Sequence, residues 1–235
     1  MSLILQPPSA QPVALDAAAY GLAEEEFANN AFHLLIVCIF LNKTPGERAI
    51  PRARAFLKRF DTPNALAKAK YEEVFPYFKP LGLYRRVQWV IDLARTWCED
   101  PPRPHRIHVK RYKETCIRSE VAHLKGVGNY ANDAWRIFCK DRLYGRENPD
   151  RPEWKKVTPT DKELIAYIKW KWAREGYEWS PETGLRCRTG LDGLTLKLRN
   201  LELNPKKSRE PYLLPFPGGY VMIPRHIEDA AEVLK

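Results

Sequence analysis

The sequence predicts an all-α body followed by a C-terminal extension of different character, and three observations carry that expectation. Residues 31–41, AFHLLIVCIFL, form an apolar run without polar alternation, the pattern of a helix buried on most sides. Amphipathic stretches at helical spacing follow it, at 48–60 (Ile50, Ala53, Phe56, Leu57 and Phe60 on one face) and at 84–98. Proline, glycine and capping residues punctuate these stretches, as at Asp61, Thr62 and Pro63, where a helix is expected to start.

The elements follow in order. Residues 1–21 read as a flexible Pro/Ala-rich lead-in, and the dense stretch 24–42 reads as a buried helix stopped by Lys43, Thr44, Pro45 and Gly46. Short helices are expected at 63–69 and 71–78, then a tight turn at Leu81, Gly82 and Leu83. A proline- and base-rich loop is expected over 100–111. Helical character resumes at 115–124, turns at Lys125, Gly126, Val127 and Gly128, and continues over 129–139. A polar loop spans 142–152, and the residues Thr158, Pro159, Thr160 and Asp161 open a helix to residue 174. The organisation expected is therefore a lead-in over 1–21, a helical body over 22–176 and an extension over 177–235. Within the extension 194–198 alternates like a strand, and 220–223 is a short apolar run.

Composition narrows the function. With 44% hydrophobic and 29% charged residues the chain has the balance of a soluble globular protein, and no apolar run reaches the 18 residues of a membrane span. The lead-in has no basic n-region and no cleavage pattern, so no signal peptide is expected. A net charge of +10 favours a polyanionic partner, although many proteins are this basic without one. The five cysteines lie far apart with no C-x-x-C pair, so neither zinc nor an iron–sulfur cluster is expected and the thiols read as free.

Two features carry chemistry. A G-V-G turn entering a helix leaves backbone N–H donors and the positive end of the helix dipole facing outward, a good phosphate site; the same turn also joins ordinary helices. Asp161 stands at a helix start, where an aspartate caps the first turn and where the dipole favours the ionised form.

The blocks LLIVCIFLNKT (34–44), AIP (49–51), KPLGLY (79–84), HLKGVGNYANDAWRIFC (123–139) and WKKVTPTDKEL (154–164) stand in one order along the chain. In that order they resemble the helix-hairpin-helix DNA glycosylases of the endonuclease-III-like superfamily. The nearest likeness is to the catalytic domain of the thymine/uracil mismatch glycosylases that carry a methyl-CpG-binding domain in vertebrates. The resemblance implies a two-lobe fold with a DNA-binding cleft, and a catalytic role for Asp161, whose carboxylate stabilises the oxocarbenium-like sugar and orients or deprotonates water. It places Tyr130 against the flipped base, where the bifunctional relatives carry a lysine that forms a Schiff base; a tyrosine forms no imine, so base excision without efficient lyase activity is expected. It assigns Leu83 as the wedge that fills the gap left by the flipped nucleotide, where a turn leucine on spacing alone reads as core.

The remaining assignments concern DNA and ions. Lys43, Lys125, Gly126, Val127, Gly128, Asn129 and Lys162 are implied DNA contacts, and a monovalent cation, K+ or Na+, is implied on the backbone carbonyls of Ala122, Leu124 and Val127. Two positions depart from the family pattern: Lys43 replaces an arginine and loses its bidentate geometry. Glu163 stands where relatives carry a base, and an acid there repels phosphate while Lys162 can substitute. The implied partner is double-stranded DNA with a G·T or G·U mismatch, bound by a nuclear monomer without a membrane. The rivals are a catalytically inactive DNA-binding module on the same fold and a bifunctional lyase.

Overall fold

The computed structural model describes residues 18–112, 115–146, 150–188, 212–216 and 219–223 of the chain. It divides into two compact units, 1–171 and 172–235. The first unit is predominantly helical. It opens with α1 (Ala23–Glu26) and α2 (Ala31–Leu41), which replace the single helix expected over 24–42. The break has a local cause: Asn30 is extended at φ −136°, and its side chain accepts from the His33 N–H, capping α2 afresh.

Every residue of α2 from Leu34 to Phe40 is buried, as the missing polar alternation required. Around it pack α3 (Gly46–Arg59), α4 (Pro63–Ala67), α5 (Tyr71–Phe78) with a 3₁₀ turn at Lys79–Leu81, and α6 (Tyr84–Glu99). Thr62 caps α4 ahead of its first-turn proline, and α3 buries Ala49, Ala53, Phe56 and Leu57 along one stripe. The rings of Phe40 and Phe78 stack at 4.2 Å, and Phe56 packs against both. Gly82 takes φ +70° in the turn before α6, the left-handed conformation a glycine adopts without a Cβ clash.

The segment after α6 departs from expectation. In place of a loop and then a helix over 115–124, β1 (His108–Tyr112) and β2 (Thr115–Ser119) pair antiparallel, with Lys110 opposite Ile117 and His108 opposite Ser119. Alternation is visible in burial: Ile117 and Ser119 are buried, while Cys116 and Arg118 are exposed. From Ser119 the chain runs through consecutive turns to Gly126, tied by hydrogen bonds from Ala122 N to Ser119 O and from Leu124 N to Val121 O. The G-V-G turn is thus entered from a strand and a run of turns. It leads into α7 (Asn129–Phe138), whose Trp135 is fully buried, and α8 (Lys140–Leu143) then occupies the start of the expected polar loop.

A 3₁₀ turn at Glu153–Lys156 and α9 (Lys162–Arg174) are the last helical elements among the described residues. Glu153 organises this corner: it is buried and accepts from Arg136 at 2.8 Å and Lys140 at 3.2 Å, while its own N–H donates to Asp141 at 2.7 Å. Burial raises the Glu153 carboxyl, but Arg136 and Lys140 outweigh that and hold it below its ordinary range.

The second unit contains two antiparallel pairs, β3 (Tyr177–Trp179) with β4 (Arg186–Arg188), and β5 (Tyr212–Phe216) with β6 (Gly219–Ile223). The Arg186 guanidinium lies 4.8 Å from the Trp172 ring, and the apolar run at 220–223 falls in β6. The strand expected at 194–198 lies outside the described residues. No helix among those residues is long and apolar enough to cross a membrane.

Candidate active site

A cavity of about 860 Å³ opens in the first unit, between the segment leading into α1, the turn after α2, the start of α7 and the start of α9. Each wall brings a residue with chemistry: Glu24 from α1, Lys43 from the turn, Tyr130 from α7, and Asp161, Lys162 and Glu163 from the head of α9. Its volume lies within the range of small-molecule sites.

Asp161 is held by the backbone it caps. Its Oδ1 accepts from the Glu163 N–H at 3.0 Å and the Leu164 N–H at 3.2 Å, which fixes the carboxyl at the N-terminus of α9. Leu164 and Ile168 are buried below it, so α9 presents its first turn to the cavity and its apolar face to the protein.

Tyr130 reaches the cavity from the first turn of α7, and its hydroxyl donates to Glu24 Oε1 at 2.6 Å. Glu24 is 2% exposed, an unusual state for a carboxylate. Burial pushes its carboxyl above the ordinary range, the Tyr130 hydrogen bond acts against that, and the charges of Asp161 and Glu163 add to it. Burial also raises the Tyr130 phenol, helped by Cys38 and Glu24, and raises the buried Cys38 thiol well above its ordinary value. The inner wall is thus a buried carboxyl and phenol joined by a hydrogen bond, both shifted upward by burial, while Asp161 stands on a fixed helix end. Sequence reasoning missed Glu24, which opens the run Glu24, Glu25, Glu26 at the head of the stretch read as a buried helix.

Lys43 adopts φ +57°, left-handed for a residue with a Cβ. The conformation is over-determined by Arg86 of α6, whose guanidinium donates to the Ile39 and Phe40 carbonyls and, at 2.7 Å, to Asn42 O. Arg86 caps the end of α2, and burial lowers its pKa from the ordinary arginine value. Lys162 and Glu163 are exposed and pair at 3.4 Å, so the acid at 163 is partly offset by its neighbour.

Leu83 and the hairpin residues Lys125, Gly126, Val127, Gly128 and Asn129 do not line this cavity. Leu83 is half-buried against the core at the N-cap of α6. Gly126 takes φ +82°, and a Cβ there would stand 2.7 Å from Ile39 Cδ1, so the glycine lets the turn lie against α2. Gly128, the N-cap of α7, has open space where a Cβ would be, and no side chain caps that helix. Lys125 is exposed and Val127 buried.

Two of the three carbonyls implied as a cation cradle, those of Leu124 and Val127, have a partner within the chain. The Lys110 Nζ donates to Leu124 O at 3.1 Å and Val127 O at 2.9 Å. Burial, with the charge of Lys125 added, lowers the Lys110 pKa from its ordinary value. Beside it the His108 ring stacks on His123 with centroids 3.7 Å apart, and His123 Nε2 lies 2.8 Å from Asp100 O.

Comparison with known proteins gives the arrangement a context. The chain is 26% identical over 158 residues to a methyl-CpG-binding domain protein 4-like protein of Arabidopsis thaliana, a match covering 67% of this chain and 29% of that one. It is 29% identical over 117 residues to a thymine-DNA glycosylase of Aeropyrum pernix, covering 47% of each. It is 26% identical over 161 residues to a thymine/uracil-DNA glycosylase of Pyrobaculum aerophilum, covering 58% of this chain and 66% of the relative. The chain is similar to DNA glycosylases. Its matches span from under a third to about two thirds of these relatives' lengths, and no protein-family profile matches it.

Proposed function

We propose that this chain is a monofunctional helix-hairpin-helix DNA glycosylase that removes thymine or uracil mispaired with guanine. The observation that supports it most is the meeting, in one cavity, of Asp161 on a fixed helix end with the buried, hydrogen-bonded pair Tyr130 and Glu24.

In this reading the target nucleotide leaves the base stack and its base enters the cavity. As the bond from C1′ to the base nitrogen breaks, its electron pair goes to the base and positive charge grows on the sugar. The Asp161 carboxylate stabilises that charge and takes a proton from the water that attacks C1′. Glu24, raised by burial, is the group suited to keep a proton and give it, or a hydrogen bond, to the departing base; Tyr130 holds it in place. The products are the free base and an abasic site.

Of the DNA contacts expected from the sequence, Lys43 and Lys162 line the cavity, and the others are assigned by this reading to positions outside its lining. Gly128 and the uncapped start of α7 offer backbone N–H donors to a phosphate, and Lys125 and Lys43 offer exposed charge. Leu83 at its turn serves as the wedge. A monomer acting on nuclear double-stranded DNA completes the reading.

The test is single-turnover release of base from duplexes carrying G·T, G·U and paired controls, followed by alkaline cleavage of the abasic site. Release from the mismatches alone supports the reading; tight binding without release favours an inactive DNA-binding module. A borohydride arm is required because Lys43 and Lys162 line the cavity. With tyrosine at 130 no covalent adduct is expected, and an adduct lost in Lys43→Met would make the enzyme a lyase.

A further inference from the structure

We propose that the Lys110 side chain is the built-in cation of the hairpin turn, taking the place of a bound monovalent metal ion. In the turn from Leu124 to Gly128 the Leu124 and Val127 carbonyls both accept from Lys110 Nζ, at 3.1 and 2.9 Å, and Leu124 O also accepts from the Val127 N–H at 3.3 Å. A potassium or sodium ion shared between the same two oxygens would sit in contact with that nitrogen. Two cations cannot share one small, partly buried cradle. The carbonyls of the turn therefore do not fit a metal ion while Lys110 is present.

The β-hairpin explains how the lysine comes to be there. Residues facing each other across an antiparallel pair lie on the same side of the sheet. Lys110 faces Ile117, which is 5% exposed, so its side chain leaves on the buried side. Val109, the next residue, is 58% exposed on the opposite side. His108, on the same side as Lys110, stacks on His123 just before the turn and fixes the strand against it. Because β2 leads through the short run of turns at 120–123 into the cradle turn, Lys110 on the paired strand β1 reaches the carbonyls and the ammonium is presented by the fold itself. A tethered cation replaces a recruited one.

The consequence is a turn that keeps its shape without any particular salt. The proposal concerns the cradle alone. It stands whether or not the cavity excises bases, and only its DNA arm rests on the proposed function.

The experiment uses the full chain and the metals themselves as probes. Melting is followed while KCl is replaced by choline chloride at constant ionic strength, for the wild type and for Lys110→Met, which keeps the apolar stem. The wild type is expected to show no dependence on K+, and thallium-205 NMR of it no saturable bound Tl+ signal. Lys110→Met is expected to melt lower in choline chloride and to recover in part as K+ is added. Its affinity for a duplex carrying an abasic-site analogue should fall about tenfold in choline chloride and recover likewise. A K+-dependent rise in wild-type melting, or a saturable Tl+ site in the wild type, overturns the proposal. So does a Lys110→Met protein that melts as the wild type does in choline chloride. Should Lys110→Met fail to fold, the wild-type melting and thallium measurements decide alone. Unchanged DNA affinity together with the expected melting pattern would leave the internal cation standing and count against the phosphate role of the turn.

Discussion

The hydroxyl of Tyr130 meets the carboxyl of Glu24 across 2.6 Å, although the two residues are 106 positions apart in the chain. That contact joins the first helical turn of the body to the first turn of α7. It gives the cavity that Asp161 also lines a wall built of a buried carboxyl and the phenol that donates to it.

Glu24 should therefore govern the pH dependence of base release. Its carboxyl is raised above the ordinary value of 4.5, so its proton is lost only as pH rises through that higher pKa, and the rate should fall along the same limb. Glu24→Gln is expected to lower the rate by about 10²–10³-fold and to flatten that limb. A pH–rate profile of both proteins, with folding checked by circular dichroism, measures this.

Tyr130→Phe separates positioning from proton storage. The Tyr130 hydrogen bond holds the Glu24 pKa down, so its loss should move the limb to higher pH. Leaving a buried oxygen without its donor should also lower stability by roughly 1–3 kcal/mol, read by urea denaturation. A limb that stays in place would show that Glu24 does not set the profile.

The two glycines of the turn make opposite predictions. Gly126→Ala puts a Cβ 2.7 Å from Ile39 Cδ1 at φ +82° and should cost about 1–3 kcal/mol of stability. Gly128→Ala meets nothing within 4 Å at φ −113°, so stability should change by less than about 0.5 kcal/mol while DNA affinity falls. Denaturation curves and binding titrations of the two variants check the contrast.

Asp133 supplies a stability test that does not depend on DNA. Burial pushes its carboxyl up to about 6 from 3.8, with Arg136 and Asn132 opposing. The folded state then binds this proton more tightly than the unfolded chain, so the group's contribution is fully present below about pH 4 and is lost as pH rises to about 6. Asp133→Asn should gain stability relative to the wild type across that window, by roughly 1–3 kcal/mol at pH 7. Melting temperatures at pH 4 and pH 7 read the difference.

What the sequence made legible follows from where the physical signal was local. The helix starts at Pro63 and Asp161 were readable because capping depends on residues a few positions apart, and the buried α2 because its apolar run is continuous. The β1–β2 hairpin was not, because its inner face offers Ile117 as its apolar residue beside a histidine, a serine and a lysine, while Val109 points outward. Lys110 could be placed on the carbonyls only once that hairpin was known. Glu24 was hidden for a different reason: its burial is produced by α7, far along the chain, and three consecutive glutamates carry no mark of which one turns inward.

The central claim rests on Asp161, and the most direct measurement is single-turnover release of uracil from a G·U duplex by the wild type and by Asp161→Asn. Asparagine keeps the shape and can still accept the capping N–H groups of Glu163 and Leu164, so folding and duplex affinity should hold within a few-fold. The account predicts a rate at least about 10²-fold below that of the wild type. An Asp161→Asn protein that releases uracil at the wild-type rate would contradict it.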